Sequence, residues 1–120
     1  MEPKFVHLYC HSEFSLVDGL LRLKPLLKQC VEYKMPAVAV TDLGNLFCMV
    51  KFYKLAMQMG VKPIIGSEVW FENEKTSLEP YRLILLCQDK EGYHNLTYLI
   101  SRAYYQGQRH GKPIVQKAWL

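Results

Sequence analysis

Short runs of β-forming residues alternate with helix-like segments along most of this chain, and the alternation limits the folds it can adopt. The strand-like runs are FVHLYC (5–10), AVAVTD (37–42), KPIIGSEVWFE (62–72) and YRLILLCQ (81–88). The continuous apolar runs of the second and the fourth predict buried strands. Helix-like segments follow the first, second and fourth of these runs. A helix between two strands favours parallel pairing through a right-handed crossover. The sequence therefore predicts an α/β domain of mostly parallel strands, either a small open sheet or about half of a (β/α) barrel.

The first two helix-like segments carry clear start and stop signals. LKPLLKQCVEYK (23–34) has Pro25 in its first turn, a position that tolerates proline. NLFCMVKFYKLAMQMG (45–60) is predicted to begin with Asn45 as a cap and to end at Gly60 in a left-handed conformation. Four apolar residues of this second helix are predicted to share one face, namely Leu46, Val50, Tyr53 and Met57.

The third helix-like segment, EGYHNLTYLISRAYYQG (91–107), is rich in tyrosine. Tyr93, Leu96, Ile100 and Ala103 recur at helical spacing and are predicted to lie on one packed side. Tyr98 and Tyr105 are predicted to be exposed, with Arg102 between them along the chain. Such residues can stack nucleic-acid bases or anchor a protein partner, and the sequence leaves both interpretations open.

Composition excludes several classes of protein. The 120 residues suit one domain, and half of them are hydrophobic, which argues against disorder. The net charge of +4 comes from scattered Lys and Arg, which permits nucleic-acid contact without predicting it. The four cysteines form no CxxC pair, and neither a signal peptide nor a membrane-spanning run occurs. We therefore predict a cytoplasmic protein with free thiols and no membrane association.

Polar residues follow three of the predicted strands, at the edge where an α/β fold binds its ligands. They are His11, Asp18, Asp42 and Glu68. One imidazole and three carboxylates are suitable ligands for a divalent metal ion that activates water. A purely structural interpretation stays open, in which His11 is hydrogen-bonded and the carboxylates cap loops. Arg82 is also expected near this edge, where it would repel a metal ion and pair with Asp42 or Glu68.

Three long segments of the chain resemble the PHP (polymerase and histidinol phosphatase) domain family. They are HLYCHSEFSLVDG, MPAVAVTDLGNLFCMVKFYKLAMQMGVKPIIGSEV and LILLCQDKEGYHNLTYLISRAY. Within the family, they are similar to the domains at the amino end of bacterial DNA polymerase III alpha subunits. The resemblance runs from Phe5 to Leu120. It implies that residues 1–120 form the first part of a PHP-type (β/α)7 barrel, with the polymerase palm, fingers and thumb lying outside this chain.

The resemblance also implies that the metal site is vestigial. Family positions that keep a ligand residue are His11, Asp18 and Glu68. Family positions where the ligand is replaced are Tyr9 in the HxH motif, Leu43 in the TDH motif, and Arg82. Leucine has no lone pair, and arginine does not lose its proton to provide one. We therefore expect no bound metal and no catalytic residue in this part of the domain.

The expected role is a scaffold in chromosomal DNA replication. The resemblance implies a parent DNA-directed DNA polymerase that uses Mg²⁺ in its palm domain. The implied partners are the remainder of the alpha chain, a proofreading exonuclease subunit, the sliding clamp of the replicative holoenzyme, and DNA contacted by the parent protein. Two alternatives remain open. One is an active PHP phosphoesterase or 3′–5′ exonuclease that uses Zn²⁺ or Mn²⁺, and the other is a free-standing α/β binding module.

Overall fold

The computed structural model describes residues 5–15, 19–75 and 79–120. Three α-helices, five strands and a short 3-10 helix follow one another in the described residues. In chain order they are α1 (Leu23–Glu32), β1 (Ala37–Leu43), α2 (Met49–Met59), β2 (Lys62–Phe71), β3 (Tyr81–Leu86), α3 (Lys90–Gln106), β4 (Gln108–Arg109), β5 (Lys112–Val115) and the 3-10 helix Lys117–Trp119. The predicted α/β class is confirmed.

Strand β2 is the centre of the sheet. It pairs in parallel with β1 over seven residues, from Ala37 opposite Lys62 to Leu43 opposite Glu68. Its other edge pairs with β3 in antiparallel orientation. Strand β5 joins β2 in parallel at Trp70 and Phe71, beyond the end of β1, and pairs with β4 in a short antiparallel hairpin. The sheet is therefore mixed, with the parallel β1–β2 pair as its longest regular part.

The predicted strand at Phe5–Cys10 does not form a regular strand. Its carbonyl groups still accept hydrogen bonds from β1, at His7 from the Ala39 amide (2.9 Å) and at Cys10 from the Thr41 amide (2.8 Å). Two residues of β1 are thus matched by three residues of the amino-terminal segment, and this extra residue interrupts the ladder as a bulge does. The Cys10 amide donates to the Thr41 hydroxyl instead of a main-chain carbonyl (3.2 Å).

Alternation along β1 separates the sheet into two faces. Val38 and Val40 point towards α1 and α2 and pack there in a hydrophobic core. The side chains that α1 and α2 bring to this core include Leu23, Leu27, Cys30, Phe52 and Ala56. Ala39, Thr41 and Leu43 point to the opposite face of the sheet, which α1 and α2 do not cover and which we call the inner face.

A second hydrophobic core lies between α3, β2 and β5. It contains the predicted side chains Leu96, Ile100 and Ala103, together with Val69 and Val115. Tyr93, the fourth residue predicted for this side of α3, is only half-buried. Tyr98 and Tyr105 are exposed, as the sequence predicts. The prediction that β3 is buried is wrong, because β3 alternates between exposed and half-buried residues. Only one face of β3 meets the core, through the half-buried Leu83 and Leu85.

Helix α2 begins later than predicted. Asn45 does not cap it; the Asn45 side chain instead accepts a hydrogen bond from the Phe47 amide (3.1 Å) in a turn that precedes the helix. Gly60 ends α2 in the left-handed conformation, with φ of 75°, as predicted. A residue with a Cβ atom is strained in this conformation, so glycine allows the immediate turn into β2.

Replacing Phe52 with alanine should lower the free energy of unfolding by about 3–5 kcal/mol, because Phe52 is a large side chain enclosed between α2 and the sheet. Val50→Ala on the same helix is the matched control, since Val50 is exposed and its loss should cost about 0.5 kcal/mol or less. Urea unfolding of the 120-residue chain, followed by circular dichroism, measures both values. Equal losses in the two variants would contradict the assigned inner face of α2.

Candidate functional site

The ends of β1, β2 and the amino-terminal segment bring polar side chains together on the inner face of the sheet. Leu43 and Glu68 are register partners in the parallel pair and therefore point to the same face. Arg82 on β3 pairs with Trp70, two residues from Glu68, so it is a diagonal neighbour of Glu68 on that face. We call Tyr9, His11, Glu68 and Arg82 the rim cluster.

Glu68 is the centre of the rim cluster. Its side chain is only 3% exposed, and its Oε1 atom lies 3.1 Å from His11 Nε2 and 3.5 Å from Arg82 Nη1. Arg82 is half-exposed, so its charge reaches Glu68 from the solvent side. A buried carboxylate is costly unless it is paired. Arg82 supplies that pairing here, at a position where the family resemblance implies a metal ligand.

His11 contacts Glu68 without completing a hydrogen bond. The His11 side chain is 10% exposed, and its Nε2 atom is buried with no hydrogen-bond partner among the described residues. The 3.1 Å separation from Glu68 Oε1 is short enough for a bond, so the orientation of the two groups, rather than their distance, prevents it. His11 is therefore held in the cluster by packing, including a ring contact with Tyr9 at 5.1 Å between centroids.

Tyr9 completes the rim cluster at its exposed side. A hydrogen bond from its hydroxyl to Glu68, together with burial of the group and the Glu68 charge, raises the pKa of Tyr9 above its usual value. The Arg82 side chain acts in the opposite direction and lowers the pKa of Tyr9 more weakly. Tyr9 therefore stays protonated and donates a hydrogen bond to the Glu68 carboxylate, which is the group that could otherwise bind a metal ion.

Asp42 does not belong to the rim cluster, and the prediction that it joins His11 and Glu68 at one edge is wrong. It lies two residues after Val40 on β1, so it points to the outer, helix-covered face of the sheet. There its Oδ1 atom accepts hydrogen bonds from the Ser12 amide (2.6 Å) and the Ser15 hydroxyl (2.8 Å). Its Oδ2 atom accepts one from the Ser12 hydroxyl (2.7 Å). The pairing of Arg82 is therefore with Glu68 and not with Asp42.

The cluster of Ser12, Ser15 and Asp42 fixes the loop that follows the amino-terminal segment. The Ser15 hydroxyl also accepts a hydrogen bond from the Leu43 amide (2.9 Å), which ties the loop to the end of β1. Neighbouring Cys48 lies in the same buried region, where burial and the Asp42 charge raise the pKa of its thiol to about 12. The Cys48 thiol is therefore protonated and unreactive at neutral pH.

Serines 12 and 15 are the residues of this region that the motif-based analysis missed. The sequence signal that could have pointed to them is the alternation of side chains along β1. This alternation places Val38, Val40 and Asp42 on one face of the strand. A carboxylate on a face otherwise covered by helices requires hydrogen-bond donors nearby. Short hydroxyl residues in the preceding loop are the donors that the sequence offers at that place.

The described residues do not fit a metal centre. Within residues 5–15, 19–75 and 79–120, no group of three or more His, Cys, Asp or Glu side chains is close enough to hold one metal ion. His11 and Glu68 are two candidate ligands, whereas zinc sites have three or four protein ligands. The third predicted candidate, Asp18, lies outside the described residues. Leu43 and Arg82 at the same face contribute no lone pair.

Two solved structures share this arrangement of strands and helices. One is a protein from Bifidobacterium adolescentis assigned as a metal-dependent phosphoesterase, with a TM-score of 0.58 at 14% identity over 89% of this chain and 37% of that protein. The other is an amidohydrolase from Chromobacterium violaceum with bound sulfate and no metal, with a TM-score of 0.58 at 17% identity over 85% of this chain and 37% of that protein. The chain therefore shares its fold with part of each of these two proteins.

The chain belongs to the PHP domain family, which matches residues 7–120. It is 50% identical over 120 residues to the DNA polymerase III subunit alpha of Pseudomonas aeruginosa. The corresponding proteins of Vibrio cholerae and Escherichia coli are 48% and 42% identical over 119 residues. The alignments cover 99–100% of this chain but only 10% of each relative. The resemblance to PHP domains of this polymerase family is confirmed.

The part of the chain that the structure describes contains no helix that is both long and apolar enough to cross a membrane.

We expect Asp42→Ala to lower the free energy of unfolding by about 3 kcal/mol, because buried donors of Ser12 and Ser15 lose their acceptor. Asp89→Ala is the matched control, since Asp89 is an exposed carboxylate that accepts one hydrogen bond, from Gly92 at the start of α3. Its loss should cost about 1 kcal/mol, as for other helix caps. Urea unfolding measures both; a smaller loss for Asp42→Ala than for Asp89→Ala would contradict the structural role of Asp42.

Proposed function

We propose that this chain is the amino-terminal part of the PHP domain of a bacterial replicative DNA polymerase, the alpha subunit of DNA polymerase III. The identity of 42–50% over almost the whole chain to three proteins of that name supports this assignment. The parent polymerase extends primers during chromosomal replication in the cytoplasm. Its catalytic Mg²⁺ ions belong to a palm domain that lies outside this chain.

Within that polymerase, the chain acts as a catalytically inactive scaffold that binds no metal ion. The single observation that supports this role is the position of Glu68, which the guanidinium of Arg82 and the hydroxyl of Tyr9 contact in place of a metal ion. A positive charge 3.5 Å from the only acidic side chain described in the cluster disfavours a second cation beside it. The rim cluster then crosslinks the amino-terminal segment, β2 and β3 by neutral and ionic contacts.

A scaffold without its own hydrolytic centre requires proofreading by another protein. The proposed partners are accordingly a separate proofreading exonuclease subunit and the remainder of the alpha chain. The sliding clamp and the other subunits of the holoenzyme, and DNA bound by the parent polymerase, complete the proposed assembly. The part of this domain described here contributes binding surface and stability to it, and no catalytic residue.

One observation favours a second candidate function, that of an active PHP phosphoesterase or 3′–5′ exonuclease with Zn²⁺ or Mn²⁺. His11 Nε2 is a buried nitrogen without a hydrogen-bond partner in the described part of the chain, and it lies beside a carboxylate. Such a pair can provide two ligands of a metal site. The replacement of neighbouring ligand positions by Leu43 and Arg82 makes this the weaker candidate.

The full-length polypeptide that carries this chain should extend a primed DNA template with deoxynucleoside triphosphates and Mg²⁺. Glu68→Gln should leave the catalytic constant of extension unchanged within about twofold, since Glu68 contacts no palm residue in the proposed arrangement. Primer extension followed on denaturing gels measures both. Absence of extension by the folded wild-type polypeptide would contradict the polymerase assignment.

Restoring histidine at the three replaced positions should create a metal site. The full-length triple variant Tyr9→His, Leu43→His, Arg82→His should retain Zn²⁺ or Mn²⁺ in stoichiometric amount after dialysis, whereas the wild type should not. The reason is that five imidazole and carboxylate groups, those at positions 9, 11, 43, 68 and 82, then share the inner face of the sheet. Mass spectrometry of the metal content measures this. Tyr105→His is the control, since it adds a histidine at an exposed site on α3.

Two results would contradict this account. Stoichiometric Mn²⁺ or Zn²⁺ in the wild type that is lost in His11→Ala would establish the active phosphoesterase as the better interpretation. Failure of the folded triple variant to retain more metal than Tyr105→His would show that the rim cluster is unrelated to a metal site.

A further inference from the structure

Helix α2 presents an apolar stripe to solvent, on the side opposite to the core. Successive residues of a helix are about 100° apart, so Val50 and Met57 lie about 100–160° around the helix from the buried Phe52 and Ala56. Val50 and Met57 are each 58% exposed, and Tyr53 between them is 48% exposed. Phe47, in the turn before the helix, is 69% exposed. We call these four residues the outer stripe of α2.

The outer stripe largely coincides with the apolar face that the sequence pattern predicts for α2. The sequence groups Val50, Tyr53 and Met57 as one apolar face, yet the structure buries Phe52 and Ala56 instead. The helix therefore has apolar residues on two sides, and the fold uses one of them. An apolar stripe that remains in water costs free energy and is typical of a surface that a partner covers.

The charged residues of α2 and of the preceding helix α1 are mostly basic. Lys51 and Lys54 are exposed on α2, and this helix has no acidic residue. Residues 19–62, which include α1 and α2, contain only two acidic residues, Glu32 and the buried Asp42. The seven basic residues of the same range are Arg22, Lys24, Lys28, Lys34, Lys51, Lys54 and Lys62. This layer of helices therefore favours a negatively charged partner.

The combination of an apolar stripe and lysines selects among possible partners. A second copy of the chain would place the same lysines opposite one another in a twofold interface, which is unfavourable. A nucleic acid would pair its phosphates with Lys51 and Lys54 but would leave Val50 and Met57 without apolar contacts. An amphipathic helix with acidic flanks satisfies both features, because its apolar face covers the stripe while its carboxylates meet the lysines.

We propose that the outer stripe of α2 binds an acidic amphipathic helix of a separate protein subunit. This inference depends on the proposed function, under which that subunit is the proofreading exonuclease. The apolar contacts at Val50 and Met57 supply most of the binding free energy, as buried central residues do in other interfaces. Lys51 and Lys54 mainly increase the association rate and make the binding sensitive to salt.

Binding of the purified proofreading subunit to the full-length polypeptide tests the proposal directly. Val50→Ser combined with Met57→Ser should weaken the affinity at least about tenfold, and Lys51→Glu combined with Lys54→Glu should weaken it by a similar factor. Tyr98→Ser and Lys90→Glu are the matched controls, since both residues are exposed on α3, and they should leave the affinity unchanged. Circular dichroism melting of each variant confirms that it is folded.

Cysteine alkylation shows whether the stripe is accessible before the subunit binds. Met57→Cys should react with iodoacetamide in the full-length polypeptide alone and should be protected about tenfold in the complex, as read by mass spectrometry of its peptide. Tyr98→Cys should react equally in both states. The native cysteines of this chain are buried or half-buried with raised pKa values, so they react slowly and provide an internal reference.

The outcomes distinguish this proposal from the proposed function. If the wild type binds the subunit and the folded α2 variants bind equally well, the outer stripe is not the docking surface, while the scaffold function stands. If Met57→Cys is protected in the polypeptide alone, another part of the same chain covers the stripe and the proposal is wrong. If the lysine variant loses only retention of a single-stranded oligonucleotide, the surface binds nucleic acid instead. If the wild type does not bind the subunit, both proposals fail.

Discussion

The register of β1 against β2 is the constraint on which the rest of the site depends. Because Leu43 lies opposite Glu68, these two side chains share the inner face of the sheet. Asp42, one residue earlier, points to the outer face, where the helices pack. A shift of one residue would exchange these positions and place a carboxylate beside the rim cluster. The chemistry available at the end of the sheet is therefore decided by a main-chain hydrogen-bond ladder.

Two polar clusters on opposite faces connect the amino-terminal segment to the sheet. On the outer face, Ser12 and Ser15 donate to a buried carboxylate and hold the loop against β1. On the inner face, Tyr9 and His11 of the same amino-terminal segment contact Glu68 on β2. The segment lacks a regular ladder because of its extra residue, so these side-chain contacts supply attachment that main-chain pairing alone does not.

The sequence predicts the structure correctly where a single local pattern determines the conformation or the packed side of a helix. The glycine at position 60 and the apolar spacing of Leu96, Ile100 and Ala103 were sufficient to predict the end of α2 and the packed side of α3. The face of α2 was not predictable in this way, because apolar residues occur on both sides and the sheet selects one. Burial of β3 was overpredicted for a related reason, since its apolar run does not reveal that only one face is covered.

The sequence by itself determined the α/β class and the family. These follow from local propensity and from residue identity, which need no knowledge of distant contacts. Only the tertiary structure decided that Arg82 pairs with Glu68 and that Asp42 accepts hydrogen bonds from Ser12 and Ser15. Both pairings join segments that are distant along the chain, and a choice between acceptors of equal chemistry depends on strand register and on which face each side chain occupies.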